Sequence, residues 1–194
     1  MAQRLRGALV EGTYHKPSHN LTAYDHYLRG RWLMENTATP GQPEAFEWLE
    51  KAIAIDPRCA HAYASIGWEL AYMHFNFQPW TDDLRRRARD HLEKALEFGD
   101  GDTTMQSMAA DAYACLGDNE QAINQGKRAI TLNPNDVQAI FGDGLALAYG
   151  GRPDEAITLL MRAHELDPQA PGFMMENVAE CHYMLGNYRA AIEI

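Results

Sequence analysis

His15 and His19 are four residues apart, the spacing at which two imidazoles on one helical face can share a metal ion. Pro17 stands between them. Proline inside a helix removes a hydrogen bond and clashes with the preceding turn, so the pair is read as part of a linker rather than a metal site. Asp82 and Asp83 are a second candidate, as adjacent carboxylates. Neighbouring residues on a helix point apart, and acids in a first turn complement the positive end of the helix dipole. They are read as a helix start. His61, His74, His91, His164 and His182 fall one per element, without ligand spacing, and His182 takes a core-facing place. Cys59, Cys115 and Cys181 are far apart and odd in number, with no CxxC. That pattern suggests neither a zinc site nor a disulfide framework, and reduced thiols in a cytoplasmic protein are the simpler account. No phosphate-binding glycine loop, GxSxG or HExxH occurs. The expectation is a chain with no catalytic, cofactor or metal site.

Bulk properties narrow the partners. The 194 residues carry a formal net charge of −10. Phosphate binding needs concentrated Lys and Arg, so nucleic acid is not the expected partner. Arg85, Arg86 and Arg87 are a local exception, read as a solvated outer helix face. No apolar run approaches the roughly 20 residues of a membrane helix. The start, MAQRLRGALVEGTY, has Arg4 and Arg6 but no long apolar core, so no signal peptide and no membrane partner are expected.

What positions any binding residues is a repeat. The stretch AITLNP ends at Pro134, with near-copies AIAIDP ending at Pro57 and AHELDP ending at Pro168. Ala122, Ala129 and Pro134 recur 34 residues later as Ala156, Ala163 and Pro168. Ala45, Ala52 and Pro57 keep the same internal spacing. Ala88 and Ala95 repeat it again, with Asp100 in the proline's place. A fifth copy begins with Gly186 and Ala191 and is cut short by the last residue. Small residues at a fixed period of this length mean stacked helix–turn–helix units. Small side chains let backbones approach, so Ala110, Gly144 and Ala179 should face Ala122, Ala156 and Ala191. Gly117, Gly151 and Gly186 fall in turns that need left-handed backbone. Pro134 and Pro168 end second helices, and Asn135 is the expected cap of the helix that follows.

The expected elements are a lead helix near 2–14, then helices near 22–35, 43–55, 59–75, 82–98, 103–115, 119–131, 136–149, 153–165 and 173–184, with a stub from 188. Residues 1–20 are a lead helix and linker, and residues 21–194 are the array. Repeat two carries about nine extra residues between Gly67 and Ala88. These predict extended helices with Phe75, Phe77 and Trp80 packed at the bend, the alternative being an exposed docking loop.

This pattern resembles the tetratricopeptide repeat (TPR) family. The resemblance implies an all-α, right-handed helix–turn–helix solenoid of about four full repeats plus a truncated fifth. Three segments narrow it. KPSHNLTAYDHYLRGRWLM (residues 16–34), AYMHFNFQPWTDDLRRRARDHLEKAL (residues 71–96) and the lead RLRGALV are similar to the TPR region of bacterial class III adenylate or guanylate cyclase-linked signalling proteins. In those proteins the array follows a cyclase domain or a winged-helix DNA-binding domain, and neither is contained in this sequence. The implied function is a non-enzymatic, cytoplasmic protein-interaction module of such a signalling protein. The alternatives are the TPR region of a winged-helix transcriptional regulator and a free-standing scaffold.

In a TPR array the first helices line a concave face. The lining predicted for a protein or peptide partner includes Tyr24, Tyr27, Arg31, His61, Trp68, Tyr72, Asp111, Phe141, Tyr149, Phe173, Asn177, Glu180 and Tyr183, aromatic and mildly acidic. Ser65, Thr104, Ser107, Gln138, Leu145 and Glu176 project to the same face. Each aromatic could instead pack between neighbouring repeats. Chaperone-binding TPR domains hold a C-terminal carboxylate with Lys, Arg and Asn, whereas the matching places here hold Ser107, Asp111, Gln138, Phe141 and Leu145, so a co-chaperone is disfavoured. Repeat five is expected to fray from Tyr188, leaving Met174, Val178, Cys181 and Leu185 poorly covered and promoting weak self-association.

Overall fold

The computed structural model describes residues 21–36, 41–76, 81–168 and 173–194. The expected lead helix and linker of residues 1–20, with His15 and His19, lie outside them, as do Phe77 and Trp80. The described residues form ten helices and no strand: α1 (Leu21–Asn36), α2 (Pro43–Ile55), α3 (Ala60–Asn76), α4 (Asp82–Phe98), α5 (Thr103–Cys115), α6 (Asn119–Leu132), α7 (Val137–Tyr149), α8 (Pro153–Leu166), α9 (Phe173–Met184) and α10 (Tyr188–Glu193). Every limit read from the repeat falls within one residue of these. Each odd helix pairs with the even helix after it. The pairs stack through α3 on α5 and α5 on α7, and through α6 on α7 and α8 on α9. This is an all-α TPR-type solenoid.

The small residues explain the stacking. Ala45, Ala52, Ala88, Ala95, Ala122, Ala129, Ala156 and Ala163 are all 0% exposed, each closing a helix crossing where a larger side chain would hold the backbones apart. Leu49, Leu92 and Leu160, also fully buried, fill the space beside them. At three turns the same two bonds close the first helix. Gly117 donates to the Ala114 carbonyl and Asp118 to Tyr113, as do Gly151 to Ala148 and Arg152 to Leu147, and Gly186 to Tyr183 and Asn187 to His182. The glycines have φ of 73°, 78° and 76°, where a Cβ would be strained. A second periodic tie joins successive repeats. Arg128 reaches Asp100, and 34 residues on Arg162 donates to the Pro134 carbonyl at 2.6 Å.

Three local expectations need correction. The α7 cap is Asp136, not Asn135: Asp136 Oδ1 accepts from the Gln138 and Ala139 amides at 3.0 and 3.1 Å. Asn135 instead donates its amide to Asn133 Oδ1, which places it one residue too early to cap. The arginine run is not merely a solvated face. Arg86 and Arg87 pair with Asp83 on α4, but Arg85 joins Arg89 in gripping Asp118 at the α5–α6 turn. Burial alone would raise the Asp118 pKa, but the two guanidiniums hold it below the usual carboxylate range. In repeat five Met174, Val178 and Cys181 are buried, since α9 packs on α8. The exposed apolar groups there are Tyr183, Met184, Leu185, Tyr188, Ile192 and Ile194, and residues 188–193 are helical.

The insertion in repeat two does extend its helices. α3 and α4 have 17 residues each, against 13 and 14 in α5 and α6. Thr81 caps α4 through the Leu84 amide, and Asp82 and Asp83 lie in its first turn. Phe75, on the added turn of α3, does not stay within its own repeat. Its ring lies 5.7 Å from that of Tyr149 at the end of α7.

Candidate functional site

Four successive first helices, α1, α3, α5 and α7, enclose a cavity of about 480 Å³. Met34, Trp68, Met108 and Phe141 give its lining an apolar part, and Ser65, Thr104, Ser107 and Gln138 line it as well. Three carboxylates, Glu35, Asp111 and Asp136, face one guanidinium, Arg31. Helical spacing produces this mixture: Trp68 and Ser65 are three apart on α3, and Thr104, Ser107 and Asp111 share a stripe on α5.

Asp111 holds the centre. Its Oδ2 accepts the Trp68 indole N–H at 2.5 Å, joining repeat three to repeat two. Burial raises the Asp111 pKa, and the indole bond offsets part of that rise. Trp68 is held from the other side by Tyr72, stacked at 5.2 Å and 10° between planes. Arg31 is drawn along its own helix by Glu35, 2.5 Å away, and its other arm lies 3.7 Å from Met108 Sδ. Ser107 Oγ donates to the Thr103 carbonyl, while Ser65, 1% exposed, has no partner for its Oγ among the described residues.

Of the residues predicted from sequence for a partner-binding face, the cavity brings together Arg31, Trp68, Asp111 and Phe141, with Ser65, Thr104, Ser107 and Gln138 from the wider projection. The others stand elsewhere. Tyr24 and Tyr27 stack on each other at 5.7 Å, and Tyr27 meets His61 edge-on at 5.4 Å. His61 is buried, 3.8 Å from Asp102. Burial lowers its pKa, with Asp102 opposing and Arg31 reinforcing. Tyr149 lies against Phe75, and burial pushes its hydroxyl up to about 12. Asn177 is half-buried, Glu180 and Tyr183 are exposed, and Tyr183 packs on Tyr188. The Phe173 side chain lies outside the described residues.

Sequence reading missed Met34, Glu35, Met108, Asp136 and Gly142 in the wall. Four of them were signalled by position. Met34 and Glu35 are three and four residues beyond Arg31, Met108 is four beyond Thr104, and Gly142 follows Phe141. Asp136 enters because it is the cap of α7. Among the described residues no group of three or more His, Cys, Asp or Glu is placed to hold a metal ion, and no helix is long and apolar enough to cross a membrane. The cavity therefore offers shape, apolar surface and a local excess of negative charge.

Known proteins share this fold. A family model for the tetratricopeptide repeat matches residues 104–136, which run through α5 and α6 to the cap of α7. A TPR repeat-containing protein of Pseudomonas aeruginosa is 36% identical over 83 residues, covering 40% of this chain and 14% of that relative's length. Among solved structures, the thermophilic TPR protein TTC0263 of Thermus thermophilus superposes with a TM-score of 0.71 at 18% identity, over 88% of this chain and 87% of its own. YrrB, described as a TPR protein with an unusual peptide-binding site, gives a TM-score of 0.53 at 24% identity over 97% and 87%. Residues 104–136 thus match the tetratricopeptide repeat, and the described helices on either side share the fold of TPR proteins.

Proposed function

We propose that this chain is a non-enzymatic protein-interaction module, cytoplasmic, whose concave face receives a peptide segment of a partner protein. The observation that carries the reading is the cavity assembled from four successive first helices, with apolar anchors and unevenly paired charge. A wall shared among repeats exists only in the stacked array, and a concave, mostly apolar site with a few placed polar groups is the usual form of a binding pocket. The peptide-binding site named for YrrB supports the same use of the fold.

Selection of linear peptides from a random library on the immobilised chain tests this. Gln138 is exposed at the cavity wall, so Gln138→Arg should block the site without unfolding it, whereas Glu97→Arg on the outer face should not. Enriched peptides should lose binding to the first variant only. Peptides that bind both variants as they bind the parent chain would remove the concave-face reading.

The wider setting we propose is a bacterial cyclase-linked signalling protein, on the similarity of residues 16–34 and 71–96 to such TPR regions. A winged-helix regulator or a free-standing scaffold is the alternative. The coding sequence upstream of Met1 separates these, by encoding a cyclase domain, a winged helix or neither. Weak self-association through repeat five is a further part of the reading, because Tyr183, Tyr188 and Ile192 are 66, 59 and 85% exposed. Light scattering should show concentration-dependent association that Ile192→Lys abolishes.

A further inference from the structure

We propose that the cavity between α1, α3, α5 and α7 receives one cationic side chain, arginine or lysine, of the partner polypeptide, with Asp111 as its counter-ion. The proposal rests on the concave-face reading and deepens it. Among the described residues the wall sets three carboxylates against one guanidinium, and that cation, Arg31, is engaged by Glu35 at 2.5 Å. Asp111 is the acid in the interior of the wall. One of its oxygens is committed to the Trp68 indole, and among the described residues no basic side chain is paired with either. A recessed carboxylate without a cation is costly to keep ionised, and an incoming charge at short range relieves that cost.

The rest of the wall suits the stem of such a side chain. Arginine and lysine carry three or four methylenes that pack on apolar surface while the head group stays with its counter-ion. Met108, Phe141 and Trp68 supply that surface, and the aromatic rings attract a cation in their own right. Ser65 adds an independent sign of a polar site: it lines the cavity, is 1% exposed, and its hydroxyl oxygen has no partner among the described residues. A carboxylate ligand is excluded by the same geometry, because Asp111 and Asp136 would repel it and Arg31 is already paired.

The Trp68 indole N–H reports on Asp111 directly, and its ¹⁵N–¹H resonance can be assigned with Trp68→Phe. Titration of the full chain with N-acetyl-arginine amide or N-acetyl-lysine amide should shift this resonance saturably at millimolar concentration, less in high salt. N-acetyl-norleucine amide has the apolar stem without the charge and should not. Asp111→Asn keeps an acceptor for the indole, so the fold and the resonance should persist while affinity for the cationic probes falls by roughly tenfold. Equal shifts with norleucine amide, undiminished binding to Asp111→Asn, or no shift with any probe would each overturn the proposal. If selected peptides still depend on Gln138 while these probes fail, the concave-face reading stands and the cationic subsite falls. If the peptides ignore Gln138→Arg, the reading beneath it falls.

Discussion

Repeats one, two and four close their helix pairs in one way, and repeat three in another. In the first group a glycine on the first helix meets a leucine on the second: Gly30 with Leu49, Gly67 with Leu92, Gly144 with Leu160. A methyl group on any of these glycines would come within 2.7, 2.8 and 2.9 Å of the leucine side chain. In repeat three Ala110 takes the glycine's place and Gly126, 34 residues before Leu160, takes the leucine's. The volume released is filled from the next repeat by Asp143 of α7. A Cβ on Gly126 would lie 2.7 Å from Asp143 Cβ and 2.9 Å from its Cα. The repeat conserves filled space at the crossing rather than residue type, and where it fills that space with an acid it buries a charge. Asp143 is 4% exposed, and its Oδ1 has no partner among the described residues. Burial pushes its pKa up to about 6, with Lys127 and Arg152 pulling down and Glu155 pushing up.

The largest effect should come from forcing repeat three into the pattern of the others. Gly126→Leu would drive its side chain into the backbone of α7 and should cost roughly 3 kcal/mol, the upper part of the overpacking range. Adding Asp143→Ala, which keeps the Cβ and Cα that a Gly126 side chain would meet, should recover only part of the loss in urea denaturation. If the single variant is as stable as the parent, the seam is not packed as described.

A smaller cost is expected where the pattern is already satisfied. Ala156 is 0% exposed at the α7–α8 crossing, and Ala156→Leu should cost roughly 1–3 kcal/mol. An unchanged thermal midpoint would count against the helix register.

Asp143→Asn isolates the charge. A carboxyl with a raised folded-state pKa adds stability that is fully present below its ordinary value of 3.8 and is lost as pH rises through about 6. The parent chain should therefore lose stability relative to the variant across that window, and the difference should be flat above it. Thermal midpoints of the two proteins across the window decide the matter, since other carboxylates titrate alike in both.

The smallest effect belongs to the Arg85–Asp118–Arg89 cluster, which ties α4 to the turn after α5. Its arginines are 39 and 42% exposed, so Arg89→Ala should cost only about 0.2–1 kcal/mol, diminishing in high salt. A loss that salt does not reduce would point to packing of the arginine stem instead.

How much of this was legible differed by feature. The alanine and glycine spacing marked the helices because steric limits at a crossing or a left-handed turn act on single residues at a fixed period. Gly126 carried a signal of the same kind, a break in the leucine row, but its meaning required knowing that Asp143 of the next repeat points there. Arg31, Trp68, Asp111 and Phe141 were assigned to one face by helical spacing. Their joining by the Trp68–Asp111 bond, and the diversion of Arg31 to Glu35, depend on rotamers that spacing does not specify.

By itself the sequence determined the all-α class, the repeat length, the helix limits and the residues that must be small, because each follows from local backbone geometry repeated along the chain. Only the tertiary structure decided which first-helix residues share a cavity, that Phe75 reaches Tyr149 two repeats away, and that Asp118 is held by two arginines of the preceding repeat. Those contacts depend on the angle between successive repeats. That angle is a sum over many packed side chains, and no single residue in the row states it.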